Sequence, residues 1–126
     1  MITIQDLLPV AVDLELKHPV TGQPLGVSVK VVGPDSAEIR LARAAFMKKM
    51  AEREGKLEIN EQIAENDAFT AALITGWSSD EFFQGPFSKE AALALIQNPG
   101  YAWLKEQVSE FTDKRANFFR ASGIAS

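Results

Sequence analysis

The sequence has 126 residues, 46% of them hydrophobic and 24% charged, with a formal net charge of −4. A chain of this length buries roughly two-thirds of its unfolded surface in one core, so a single domain over 1–126 is expected and global disorder is excluded. The acidic balance argues against nucleic acid as the main partner, because neutralising phosphates takes a dense basic surface.

There is no cysteine, which excludes disulfides and thiolate metal sites and fits a reducing cytoplasm. The first residues, Met1 to Asp6, lack the basic and apolar runs of a signal peptide. No apolar stretch approaches the roughly 20 residues of a membrane span, so neither a membrane nor a nucleic acid is expected as a partner.

The first third reads as β structure. Val10, Val12, Leu14 and Leu16 alternate with Asp13, Glu15 and Lys17, the signature of a half-buried strand. A connection with two prolines and two glycines follows, and alternation resumes with Val27, Val29 and Val31. This predicts a β-hairpin over 10–32, with Lys30 across from Asp13 or Glu15. A lone hairpin is marginal in water, so its apolar face must cover helices.

Gly33-Pro34 ends the second strand, and Asp35-Ser36-Ala37-Glu38 has the form of a helix start. The first helix should run to about Glu54, with Ile39, Ala42, Phe46, Met47 and Met50 inward and Arg43 at the edge of that face. A second helix is expected over 58–75, burying Ile59, Ile63, Thr70, Ile74 and Trp77 and capped by Gly76. After the loop 78–87, Ser88 should cap a short helix over Lys89–Gln97. Asn98-Pro99 then opens a last helix that continues to about Phe119. The expected class is α+β: an N-terminal hairpin packed on a mainly helical part of about four helices over 35–121, with a flexible tail over 122–126.

Catalytic signatures are weak. His18 is the only histidine and falls in the hairpin connection, where an exposed turn residue is the simpler assignment. One histidine without cysteine leaves only a carboxylate metal site, and no spaced acidic loop of the calcium type occurs. No glycine-rich phosphate loop is present, and Asp80 and Glu81 are adjacent loop acids of the ordinary solvated kind. The chain reads as a binding protein, not an enzyme, with no cofactor and no metal. Its charge is uneven: residues 36–56 are basic (Arg40, Arg43, Lys48, Lys49, Arg53, Lys56) and residues 57–90 acidic. That division is either an ordinary pair of solvated faces or a device that steers a partner of opposite charge.

In the last helix Tyr101, Leu104, Val108, Phe111, Phe118 and Phe119 form one apolar stripe, interrupted by Arg115. A charge inside such a stripe needs a partner, so Arg115 should meet a carboxylate or carbonyl groups, with Asp80 and Asp113 the nearest candidates, unless the helix end is simply exposed there. Trp103 falls on the opposite side, among Gln107, Glu110 and Lys114. It is a candidate contact residue with Phe82, Phe83 and Phe87, the alternative being burial beneath the loop 82–87.

Three segments, taken in order, resemble the tail assembly chaperones of long-tailed bacteriophages. They are Ala71-Ala72-Leu73-Ile74-Thr75-Gly76-Trp77, then Pro86-Phe87-Ser88-Lys89-Glu90-Ala91-Ala92-Leu93-Ala94-Leu95-Ile96, then Asp113-Lys114-Arg115-Ala116-Asn117-Phe118-Phe119. The resemblance covers about half of the chain, and Gly76, Trp77, Ser88, Arg115, Asn117 and Phe118 are its structural landmarks. The resemblance implies a non-enzymatic protein of the host bacterial cytoplasm. It would hold the long tape measure protein soluble, help the major tail protein assemble around it, possess some capacity for self-association, and be absent from the mature virion. The family offers no catalytic residues to carry over. The rival reading is a structural phage protein, a head–tail connector component or a minor tail subunit.

Overall fold

The alternating N-terminal stretch forms two antiparallel strands, β1 (Val12–Lys17) and β2 (Pro24–Val31), in the computed structural model, which describes residues 1–119. Asp13 lies opposite Lys30 and Leu14 opposite Val29, so the pleat puts Leu16, Val29 and Val31 into the interior and the charges outside. His18 closes the turn: its backbone N–H donates to Gln23 O at 2.8 Å, and its Nδ1 accepts from the N–H of Val20 at 3.0 Å. The lone histidine is therefore an exposed turn residue.

A third strand, β3 (Ile74–Trp77), completes the sheet in the order β1-β2-β3. It corrects the expected second helix. That helix, α2, spans Ile59–Ala72 and stops two residues before Thr75-Gly76-Trp77. Gly76 is consequently not a helix cap; it sits in the strand opposite Lys30. The reason is local and tertiary together. Ile74 and Thr75 are β-branched, and the free edge of β2 offers them a ladder that a solitary helix end cannot.

The first helix, α1 (Ala37–Glu52), starts where Ser36 Oγ accepts from the N–H of Ile39 at 3.3 Å. It ends in Glu54 and Gly55, both at positive φ, with Gly55 N–H returning to Met50 O at 2.7 Å. Ile39 is buried, and the Phe46 ring meets Phe69 of α2 edge-on at 5.8 Å. Ion pairs from Lys49 to Glu65 (2.7 Å) and from Arg53 to Glu61 (2.9 Å) line the same seam.

Two expectations about these helices fail. Met47 is 64% exposed, and Ile59 and Ile63 are exposed as well. A residue next to Phe46 on a helix points about 100° away, so Met47 leaves the seam. Ile59 and Ile63 do share a face with Asp67 and Thr70. Only the C-terminal half of that face is covered, where Asp67, Thr70 and Ala71 are buried and Asp67 pairs with Lys105 at 2.6 Å. Helix α1 packs principally on α2, so the first two helices form a hairpin whose far end stands clear of the sheet.

Helix α3 (Lys89–Gln97) begins as expected, with Ser88 Oγ accepting from the N–H of Ala91 at 3.0 Å. Asn98 caps a single 3₁₀ turn at Pro99–Tyr101, which runs into α4 (Ala102–Thr112). The last helix is shorter than expected: it stops at Thr112, and Arg115–Phe118 form a separate 3₁₀ turn. Thr112 Oγ1 donates back to Val108 O at 2.7 Å, Lys114 is extended, and the chain folds inward.

That reversal puts Phe118 into the core at 1% exposure, edge-on to Phe111 at 5.6 Å. Around it one apolar cluster joins Leu16, Val29 and Val31 of the sheet to Ala92 and Ile96 of α3 and Leu104 and Val108 of α4. The fold is thus an α+β unit of a three-stranded sheet and four helices, in which the sheet packs on α2, α3 and α4 and α1 packs on α2. The tail expected over 122–126, and the end of the helical part at 120–121, lie outside the described residues.

Candidate interaction surface

The aromatic residues singled out in the sequence gather at the end of β3. Trp77 closes the strand and stacks on Phe83, ring centroids 4.5 Å apart and 18° from parallel. Phe87 meets the same indole edge-on at 5.1 Å, and Phe82 meets Phe83 edge-on at 4.9 Å. The loop that delivers these rings is fixed by its own polar groups. Trp77 Nε1 donates to Asp80 Oδ1 at 3.1 Å, Ser79 Oγ accepts from the N–H of Phe82 at 3.1 Å, and Gly85 N–H reaches Asp80 O at 2.8 Å. Asp80 thereby satisfies the indole N–H instead of standing free as an acid–base group.

Burial separates the four rings at this end of the sheet. Trp77, Phe83 and Phe87 are half-buried against the core, and only Phe82 is exposed, at 42%. Trp103 also departs from the expectation of an exposed contact on a polar face: it is half-buried and packs on the core. The cause lies in the flank of α4 it occupies. Gln107, one turn on, donates Nε2–H to Lys17 O at 2.8 Å and accepts from the Lys17 N–H at 3.0 Å, so this flank faces β1. Trp103 is thus packed on the core cluster and is not a free ring on a polar face.

The segment Arg115–Phe119 acts as a clasp. Arg115 Nε donates to Asp35 Oδ2 at 2.7 Å, a carboxylate different from either expected candidate, and its side chain remains 69% exposed. Asn117 Nδ2 donates to Phe111 O at 3.0 Å, which holds the reversal after α4. Phe118 O accepts from the Val10 N–H at 2.7 Å, beside the start of β1. Gly33 makes the seat: a Cβ there would lie 2.7 Å from Phe118 Cγ. Asp35, Gly33 and Gln107 escape a reading of the sequence because each acts on a partner 80 or more positions away. Their only local trace is that Gly33-Pro34-Asp35 resembles an ordinary strand end.

Among the described residues no group of three or more histidine, aspartate or glutamate side chains is placed to hold a metal ion. No helix there is long and apolar enough to cross a membrane. Comparison with family models, curated proteins and solved structures finds no match. What remains on the surface is apolar and charged contact area. Phe82 projects from the aromatic stack, and Leu41, Met47, Ile59 and Ile63 project from the α1–α2 hairpin.

Proposed function

We propose that this protein is a phage tail assembly chaperone that binds the tape measure protein, keeps it soluble and promotes assembly of the major tail protein around it. The observation that carries the reading is the coherence of the three segments that resemble the family. The first supplies strand β3 and the indole of the aromatic stack, the second the Ser88 cap of α3, and the third the Arg115–Phe118 clasp. Each landmark residue makes a specific contact, as expected of segments that define a common scaffold.

The surface chemistry suits a holdase. Large apolar side chains stand singly or in small groups between charges, which allows contact with an aggregation-prone partner without forming one extended apolar patch. Phe82 is an exposed ring supported by half-buried neighbours, an arrangement typical of a contact residue set in a rigid frame.

Co-expression with the tape measure protein encoded by the same phage or prophage tests the proposal. The wild-type chain should move the tape measure from the insoluble to the soluble fraction, and the chain should be missing from purified virions by mass spectrometry. A tape measure that stays insoluble with and without the chain refutes the chaperone reading; a virion-borne chain points to the connector or minor tail reading.

A further inference from the structure

Helix α1 has two functional faces. The inner one, with Ile39, Phe46 and Met50, packs toward α2 and the body of the domain. The outer one carries Arg40, Arg43, Ala44, Met47 and Lys48, all exposed, with Leu41 beside them at 71% exposure. Arg40, Ala44 and Met47 follow one another at helical spacing, which makes a stripe of cations and apolar side chains. Beside it runs a groove of about 640 Å³ lined by Pro34, Ile39, Ala44 and Met47, with Arg40 and Arg43 on its rim.

The charge on this face is uncompensated. Among the described residues the ion pairs join Lys49 to Glu65, Arg53 to Glu61, Lys105 to Asp67 and Arg115 to Asp35. The seam of α1 with α2 therefore takes the cations Lys49 and Arg53 and leaves Arg40, Arg43 and Lys48 outside the ion pairs of the described residues. Asp35 borders the groove, yet its carboxylate is engaged by Arg115. Glu38 lies across the helix, where it borders a different groove, beside Leu41 and Leu93. Glu52 follows Lys48 by one turn, so Arg40, Arg43 and Lys48 leave a local excess of two cations on a chain whose net charge is −4.

We infer that the outer face of α1 docks an acidic amphipathic helix of a partner protein, whose apolar side chains enter the Met47 groove while its carboxylates meet Arg40, Arg43 and Lys48. This deepens the chaperone reading and rests on it, since it names the chemistry of the client segment. Arg40 and Lys48 are eight residues apart, about 12 Å along the helix, so carboxylates at i, i+4 and i+8 of a partner helix span the same interval. Arginine favours this role, because its planar fork holds a carboxylate with two parallel hydrogen bonds. The Met47 side chain adapts to varied apolar partners. Nucleic acid fits less well, because no exposed aromatic accompanies the cations of α1 for base stacking.

The test uses the full chain and a fluorescein-labelled designed peptide of about 18 residues, long enough to hold a helix, with leucines on one face flanked by glutamates. Its twin has every glutamate replaced by lysine. Fluorescence anisotropy should show binding of the acidic peptide that weakens with added salt. The variant Arg40→Glu, Arg43→Glu, Lys48→Glu should weaken that binding by about tenfold or more and gain binding of the lysine twin, the reciprocal that direct charge contact requires. All three positions are exposed, so circular dichroism of the variant should match wild type. Equal binding of both peptides, or none of either, overturns the inference. So does a labelled DNA duplex that binds this face while the acidic peptide does not. Sedimentation showing self-association lost in the variant, without peptide binding, assigns the face to a second copy and also overturns it. Co-expression with the tape measure separates this inference from the function beneath it. If wild type and variant both keep the tape measure soluble, this face is not the docking site and the chaperone reading stands. If wild type itself fails, the chaperone reading falls, and the peptide titration still decides the face.

Discussion

Replacing Gly33 by alanine should destabilise the fold through a single contact, the Phe118 ring. The alanine Cβ would stand 2.7 Å from Cγ and 2.8 Å from Cε2 of that ring, well inside van der Waals separation. The ring is 1% exposed and held edge-on to Phe111, so it has little room to retreat. Overpacking of this kind costs about 1–3 kcal/mol. Truncating the ring instead, Phe118→Ala, removes a buried aromatic and leaves a cavity, for about 3–5 kcal/mol. The informative measurement is the double variant. With the ring gone, the alanine at 33 meets empty space, so its cost should nearly vanish and the pair should be less destabilising than the sum by about 1–3 kcal/mol. Urea unfolding followed by circular dichroism gives all four corners of the cycle, and every variant should remain folded if the parent stability lies in the usual range of about 5–15 kcal/mol. Additive costs would refute the reasoning, because they would mean that Gly33 is needed for something other than room for Phe118.

Four further outcomes follow from the contacts. Ser88→Ala should cost about 1 kcal/mol in the same unfolding assay, since it leaves the Ala91 N–H at the start of α3 without its cap. Asp67→Ala should cost about 1.5–3 kcal/mol, because the half-buried Lys105 ammonium loses its 2.6 Å partner. Arg115→Ala, at a largely exposed pair, should cost about 0–1 kcal/mol, so the two ion pairs are distinguishable by denaturation alone. Phe82→Ala should leave stability within about 0.5 kcal/mol while reducing tape measure solubilisation in co-expression, and Phe83→Ala, which removes the ring stacked on Trp77, should lower stability itself.

The hairpin, the start of α1 and the cap of α3 were legible because each depends on residues close in sequence, whereas alternation alone left Lys30 opposite either Asp13 or Glu15. Alternation placed Leu14 and Leu16, and Ser36 and Ser88 each sit three residues before the N–H they accept from. Errors arose where a distant partner decides. Ile74 and Thr75 continue the periodicity of α2, and only the edge of β2 turns them into a strand. Arg115 continues the stripe of α4, and only the seat at Gly33 and the carboxylate of Asp35 draw the segment away from the helix. Ile59, Ile63 and Met47 show a third kind of limit. Helical periodicity marks which residues share a face, but whether a face is covered depends on how far its neighbours extend.

The same distinction bears on where function resides. Of the landmark residues in the three segments, Trp77, Ser88, Asn117 and Phe118 are spent on internal contacts, and Arg115 holds Asp35. A residue committed to the scaffold cannot also change its contacts with the partner. The residues free to do so are Phe82 and the outer face of α1, which lie outside the three segments or at a solvent-facing loop position between them. A scaffold motif with a variable contact surface is what recognition of one particular client requires, because specificity comes from side chains that can differ while the frame that holds them stays fixed. If the proposed function holds, exchanging the outer residues of α1 between two chains that share this scaffold should therefore exchange their clients, whereas exchanging the Arg115–Phe118 clasp should alter stability alone. Client solubility in crossed co-expression reads the first and urea unfolding the second; a clasp exchange that redirects the client would overturn the separation of scaffold from contact surface.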